Sequence, residues 1–202
     1  MTELDAINIL LSVIGEAPIE SFATTSANEV SDSALARRTL AEVTRDVQAE
    51  GWSWNTDNHV EFVLTNEKGF VVPANALRVR FPRSRWPMGD LVMRGRRVWD
   101  RTRQSYEFDD ASLTAEEVVF ELLWEELPHP AQQYIVIRAA RIYASRFINS
   151  SVIFSYTVQD EQYARAMLVR DEETKEQNNM LWGQHPHGLG YMPARGRHNR
   201  LT

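Results

Sequence analysis

The sequence predicts an α+β fold: an antiparallel α-helical bundle with an inserted small antiparallel β domain and an irregular C-terminal arm. Three observations carry this. Apolar residues recur at helical spacing over 3–15, over about 31–50 and again beyond Pro130. Between about 59 and 124 the pattern changes to short apolar–polar alternations. From 178 onward no period remains, and glycine, proline and histidine are scattered. The expected division is a bundle from 1–56 and 128–178, a β-rich domain from 57–127 and an extended arm over 179–202.

The bulk composition agrees with a globular chain. Of 202 residues, 43% are hydrophobic and 25% charged, an ordinary balance for a packed core with a solvated surface. No apolar run approaches the roughly 18 residues of a membrane helix. The start "MTELDAINILLSVIGEAP" has acids where a secretory signal needs positive charge, so it reads as part of the fold. The absence of cysteine removes disulfides, thiolate metal sites and cysteine nucleophiles.

The elements follow in order. In the first helix, Thr2 is the candidate N-cap, Glu3 and Asp5 lie in the first turn, and Leu4, Ile7, Leu10, Leu11 and Ile14 form the apolar stripe. Gly15 can close it and Pro18 prevents its resumption. The second helix is capped near Ser31, carries Ala36, Leu40, Val43 and Val47 on one face, and meets Gly51 where a left-handed residue is wanted. These two helices can pack as an antiparallel pair. "VEFVL" and "LRVRF" read as strands, the second with Leu77, Val79 and Phe81 on one face and Arg78 and Arg80 on the other. "LVMRGRRVW" reads as a hairpin turning at Arg94-Gly95. "EVVFELLW" is ambiguous by period, and its β-branched and aromatic residues favour a strand. After Pro130, Tyr134 to Phe147 are apolar around more than half a helix, which implies burial on two sides. "INSSVIFSY" reads as a connector, and the capping pattern from Thr157 to Asp160 opens a last helix to about 177.

Charge is unevenly spread. Residues 76–104 hold Arg78, Arg80, Arg83, Arg85, Arg94, Arg96, Arg97, Arg101 and Arg103 against Asp90 and Asp100, a net of +7. Residues 178–202 hold Arg195, Arg197 and Arg200 and no acid, a net of +3, which leaves −16 elsewhere in a chain of net charge −6. Such asymmetry fits either nucleic acid or a complementary protein surface. Phe81, Trp86 and Trp99 lie among the arginines, as stacking residues would, but Phe81 belongs to the apolar alternation of its strand. Contact between subunits, basic face to acidic face, is the favoured reading over DNA binding.

Catalytic motifs are missing: there is no Walker loop, dinucleotide fingerprint, GxSxG or HExxH. His185 and His187 lack a nearby acid or thiol to complete a zinc site. Glu116, Glu117, Glu121, Glu125 and Glu126 are carboxylates beside a basic sheet, more in keeping with ion pairing than with a glycosidase pair. Trp52 and Trp54 follow the helix stop at Gly51; in an extended segment both would face one side, packing a joint between helices and sheet, with Asn55 in the turn beyond.

Four segments taken together carry a resemblance. "NILLSVIGEAP" (8–18), "ALARRTL" (34–40), "RDVQAEGWSWN" (45–55) and "VWDRTRQSYEF" (98–108) resemble, in this order, the tail tubular protein A family of short-tailed phages. The likeness covers most of residues 5–182, and the ordered set with GW..N and V.DRT..S..F makes it specific. Trp54 stands where the family pattern has phenylalanine and Trp99 where it has tyrosine; both keep an aromatic ring. The stretch from Gly183 onward has no counterpart.

The resemblance implies a structural virion protein without enzymatic activity or cofactor, assembled in the host cytoplasm. It implies a ring of twelve copies below the portal protein, above the nozzle of tail tubular protein B, with an attachment place for tail fibres. The genome would pass through its lumen only in transit. A strongly basic lumen would hold DNA, so the arginines are expected to face neighbours. Arg78, Arg80, Arg94, Arg96, Arg97 and Arg101 become candidate subunit-interface residues. Trp182, Tyr191, Arg195, Arg197 and Arg200 become a candidate portal-docking arm, and Gly51, Trp52, Trp54 and Asn55 the joint. The competing readings are a tail-associated cell-wall or polysaccharide hydrolase and a DNA-binding module.

Overall fold

Local capping signals decide where the first two helices begin. In α1 (Glu3–Val13) the Thr2 hydroxyl accepts from Asp5 N at 3.1 Å, and the Asp5 carboxylate accepts from Thr2 N at 2.9 Å. This reciprocal box satisfies two end groups that the helix itself leaves unpaired. The hydrogen bond from the Thr2 backbone, then that from its side chain, hold the Asp5 carboxyl below its ordinary pKa. The helix stops at Val13, short of the expected 15; Gly15 follows in the left-handed region at φ 83°. Ala6, Ile7, Leu10 and Leu11 are buried, while Leu4 and Ile14 at the stripe's ends are half-buried. Helix α2 (Asp32–Ala49) starts at Ser31, whose hydroxyl accepts from Ala34 N, and buries the expected Ala36, Leu40, Val43 and Val47.

The computed structural model describes residues 1–21, 31–82, 90–147 and 151–180, without the side chains of 147, 151–157 and 175–180. Helix α3 (His129–Phe147) touches α1, α2 and α4, and accordingly Tyr134, Ile135, Ala139 and Tyr143 are fully buried. Helix α4 runs over Ser151–Met180. It begins six residues before the expected start, so the "INSSVIFSY" stretch is largely helix and Thr157 lies inside α4 instead of capping it. A Thr-x-x-Asp pattern is a short-range signal, and it marks an end only where the residues before it leave the helical conformation.

Among the described residues the β region is three small antiparallel assemblies where one sheet was expected. Strands β1 (Thr56–Asn58), β7 (Glu117–Phe120) and β3 (Ala76–Arg80) form a sheet with β7 in the centre; β2 (Glu61–Val63) pairs with β6 (Ser112–Thr114); β4 (Leu91–Arg94) pairs with β5 (Arg97–Asp100). The hairpin turns at Gly95-Arg96, with Gly95 at φ 61°, one residue beyond the expected pair. "EVVFELLW" divides: Glu117–Phe120 is strand, and Trp124–Glu126 is a short 3-10 helix. Phe81 is buried while Arg78 and Arg80 are exposed, as the alternation requires.

Among the described residues two hydrophobic clusters result. One gathers the helices with Trp52 and Trp124. The other gathers Phe62, Phe70, Val72, Phe81, Leu91, Val98, Phe108, Leu113, Ala115 and Val118 from the strands. No helix among the described residues is long and apolar enough to cross a membrane.

Candidate interaction surfaces

The segment after α2 is organised by one buried amide. Gly51 takes the left-handed conformation, φ 84°, and its N–H donates to Gln48 O at 3.1 Å. Residues 53–55 form a turn, not the extended segment expected. Trp52 is nonetheless buried in the helical cluster, and Trp54 packs against it. The Trp52 indole donates to Val47 O at 2.8 Å. The Asn55 side-chain oxygen accepts from Trp52 N at 2.8 Å, and its amide donates to Gln48 O at 2.8 Å and Phe120 O at 2.9 Å. Gln48, also fully buried, accepts from Leu122 N at 2.7 Å and donates to Leu122 O at 3.2 Å. Buried amides must find partners, and these find theirs at the end of α2 and at or just past the end of β7. From α4, the Glu172 carboxylate accepts from Ser53 N in the same turn.

The segment 98–108 is a second closed unit. Asp100, 2% exposed, accepts from Thr102 N at 2.8 Å and Arg103 N at 3.0 Å through one carboxylate oxygen. Its backbone exchanges two hydrogen bonds with Ser105, and the Ser105 hydroxyl accepts from Glu107 N at 3.0 Å. Val98 and Phe108 plug both ends of the loop into the strand cluster. The spaced residues of V.DRT..S..F are thus accounted for by the loop and Asp90 beside it. Two are apolar anchors, one is an acid that caps a turn, one is a hydroxyl that closes it, and the remaining two, Arg101 and Thr102, hold Asp90 through its carboxylate and its backbone N–H.

The arginines separate into two classes. Arg78 and Arg80 both hold Glu117, at 2.9 and 2.8 Å, and Arg80 also holds Glu116 at 3.3 Å. Arg101 pairs with Asp90 at 2.8 Å, and Arg103 lies 3.9 Å from Asp100 and 3.7 Å from Asp109. Among the described residues no carboxylate lies within ion-pair distance of Arg94, Arg96 or Arg97. Arg94 instead sits 4.5 Å over the Trp99 ring, and Arg97 4.7 Å over Tyr106. The first two residues of the expected arm, 179 and 180, belong to α4, because the helix runs on past the expected end; Arg83, Arg85, Trp86 and the rest of the arm with Trp182, Tyr191, Arg195, Arg197 and Arg200 lie outside the described residues, as do His185 and His187.

The glutamates have structural partners. Glu116 and Glu117 hold arginines, Glu121 lies 3.9 Å from Arg45, and Glu126 accepts from Leu123 N at 2.8 Å. Glu125 is exposed. A groove of about 440 Å³ between α2 and residues 121–124 has an apolar floor including Leu40, Ala41, Leu122 and Trp124. Its two acids, Glu3 and Glu121, lie beside Arg37 and Arg45. Nothing there pairs a nucleophile with a base. Among the described residues no group of three or more potential ligands is arranged to hold a metal ion.

The family model described as tail tubular protein matches residues 4–178. Tail tubular protein A of Klebsiella phage KP34 is 29% identical over 174 residues, covering 85% of this chain and 87% of that protein.

Proposed function

Because the chain belongs to the tail tubular protein family, structural components of the phage virion tail and not enzymes, we propose that it is the ring-forming adaptor between head and tail. In this reading about twelve copies close into a ring below the portal protein and above the nozzle of tail tubular protein B. The ring offers tail fibres a seat, and its lumen is part of the path by which the genome leaves. The observation that carries the reading is the family match, which runs through both hydrophobic clusters and includes the GW..N and V.DRT..S..F segments.

The charge distribution supports it. A conduit works if its wall does not bind phosphate, since each neutralised phosphate adds salt-sensitive affinity. Of the arginines clustered in sequence, Arg78, Arg80, Arg101 and Arg103 have carboxylates beside them within the chain. Arg94, Arg96 and Arg97 remain for a neighbour. The arm over 179–202, rich in arginine and carrying Trp182 and Tyr191, is the segment proposed to order on the portal.

Electron microscopy of the protein mixed with purified portal and nozzle proteins tests the reading. A ring seated between the two supports it; a portal that binds nozzle directly with this chain absent from the joint overturns it.

A further inference from the structure

Arg94 and Arg97 stand opposite each other across β4 and β5, on the face away from buried Leu91 and Val98. Like charges so placed repel, and among the described residues neither has an acid to relieve it. Trp99 follows Arg97 on the same face and meets Tyr106 edge to face at 4.5 Å. On the other side Val71 is bridged to Arg97 and stays 45% exposed. Arg96 is exposed in the turn. The hairpin therefore presents a cationic, aromatic surface with an apolar margin and no anion of its own. Arginine, tryptophan and tyrosine are the side chains that most often anchor protein interfaces. A single-stranded nucleic acid would use ring faces for base stacking, but here the rings are taken up by guanidinium groups and by each other.

A matching surface exists on the same chain. Residues 1–56 hold nine acids against Arg37, Arg38 and Arg45, a net of −6. Glu16 and Glu20 are exposed and form no ion pair among the described residues. They flank the segment that Asn8 fastens to α1 through two hydrogen bonds with the Ile19 backbone, at 2.9 and 3.1 Å. The adjoining Ile9 is 41% exposed. The negative potential there is felt inside the bundle, where Asp32 and Glu16 add to burial in raising the Tyr143 pKa.

We propose that the β4–β5 hairpin of one copy docks on the α1 edge of the next, with Arg94 and Arg97 pairing with Glu16 and Glu20 and the Val71 margin covering Ile9. This rests on the ring reading. The two surfaces belong to different hydrophobic clusters, so the contact is head-to-tail, the kind that generates rings.

Two variants, R94E/R97E and E16K/E20K, test it by native mass spectrometry, under the condition in which the wild-type chain assembles, alone or with portal protein. Thermal midpoints near that of the wild type establish that both fold. Each variant alone should lose closed rings, and an equimolar mixture should regain them, because every contact then joins opposite charges. Failure of the mixture to regain rings overturns the assignment of the α1 edge. Rings from R94E/R97E alone overturn the hairpin contact while leaving the ring reading intact. If R94E/R97E retains rings and loses duplex DNA binding that the wild type shows, the hairpin is a nucleic-acid surface and the inference is wrong. A wild-type chain that forms no ring under any condition, with portal protein included, removes the reading on which the inference stands.

Discussion

Asn55 and Phe120 hold each other from both directions. The Asn55 side-chain amide donates to Phe120 O at 2.9 Å, and Phe120 N donates to Asn55 O at 2.8 Å. Because the same side chain also holds Gln48 O and Trp52 N, one buried amide fastens the end of α2 to the end of β7. Asn55→Ala leaves Trp52 N, Gln48 O and Phe120 O without this partner. At roughly 1–3 kcal/mol for each buried group left unpaired, the expected loss is about 3 kcal/mol or more in urea unfolding. Asn55→Asp should cost more than alanine, since it sets a carboxylate against two carbonyl oxygens. A loss below about 1 kcal/mol for alanine would contradict this role for the amide.

Gly51 is constrained twice. Its φ of 84° is unfavourable for any residue with a Cβ, and an added Cβ would lie 2.5 Å from Arg78 Nη2 and 3.2 Å from Val119 Cγ2. Gly51→Ala should cost about 1–2 kcal/mol from backbone conformation alone, plus the displacement of Arg78 from Glu117. Adding Arg78→Ala relieves the nearest contact but not the backbone, so the double variant should stay below the stability of Arg78→Ala alone. Equal stabilities would show that the φ constraint carries no weight.

Tyr143 makes the bundle sensitive to alkali. It is fully buried and donates to Asp32 O at 2.9 Å. Burial first, then the charges of Asp32 and Glu16, push its pKa up from 10.0 to about 12. Between these values the unfolded chain loses the proton while the folded chain keeps it. The stabilisation is therefore present in full below pH 10 and disappears as pH rises toward 12, by about 2–3 kcal/mol over the two units. Thermal midpoints from pH 9 to 11.5 should fall steeply for the wild type and more gently for Tyr143→Phe, which starts lower through loss of the hydrogen bond to Asp32. Parallel curves would assign the alkaline loss to other groups.

Features set by neighbouring residues are legible in the sequence; features made by distant partners are not. Thr2 and Ser31 cap helices and Gly51 ends one with signals that lie within a turn or two of themselves. Asn55 reads as a turn residue, but its bond to Phe120 spans 65 positions, which periodicity cannot see. Likewise Arg78 and Arg94 look alike in the sequence. What separates them is Glu117, 39 residues from Arg78 and brought beside it by the β3–β7 pairing. Strands β1 and β6 escape a sequence reading because TDN and SLT carry few of the β-branched and aromatic residues that mark the equally short β2 within VEFVL. The start of α4 is misplaced by its sequence because a capping pattern inside a helix looks the same as one at its end.

The proposed docking role of the C-terminal arm can be tested apart from folding. The family match ends at residue 178, and residues 183–202 contain no helical or strand period. Deleting 183–202 should leave the thermal midpoint within a few degrees of the full chain and weaken retention on immobilised portal protein. Undiminished retention would remove the arm from portal docking.

The adaptor reading is tested most directly by the native mass of the particle formed by the full chain with and without portal protein. A closed ring on the portal, on the order of twelve copies, is the expected outcome. Only monomers, with no portal-bound species at any protein concentration, would contradict it.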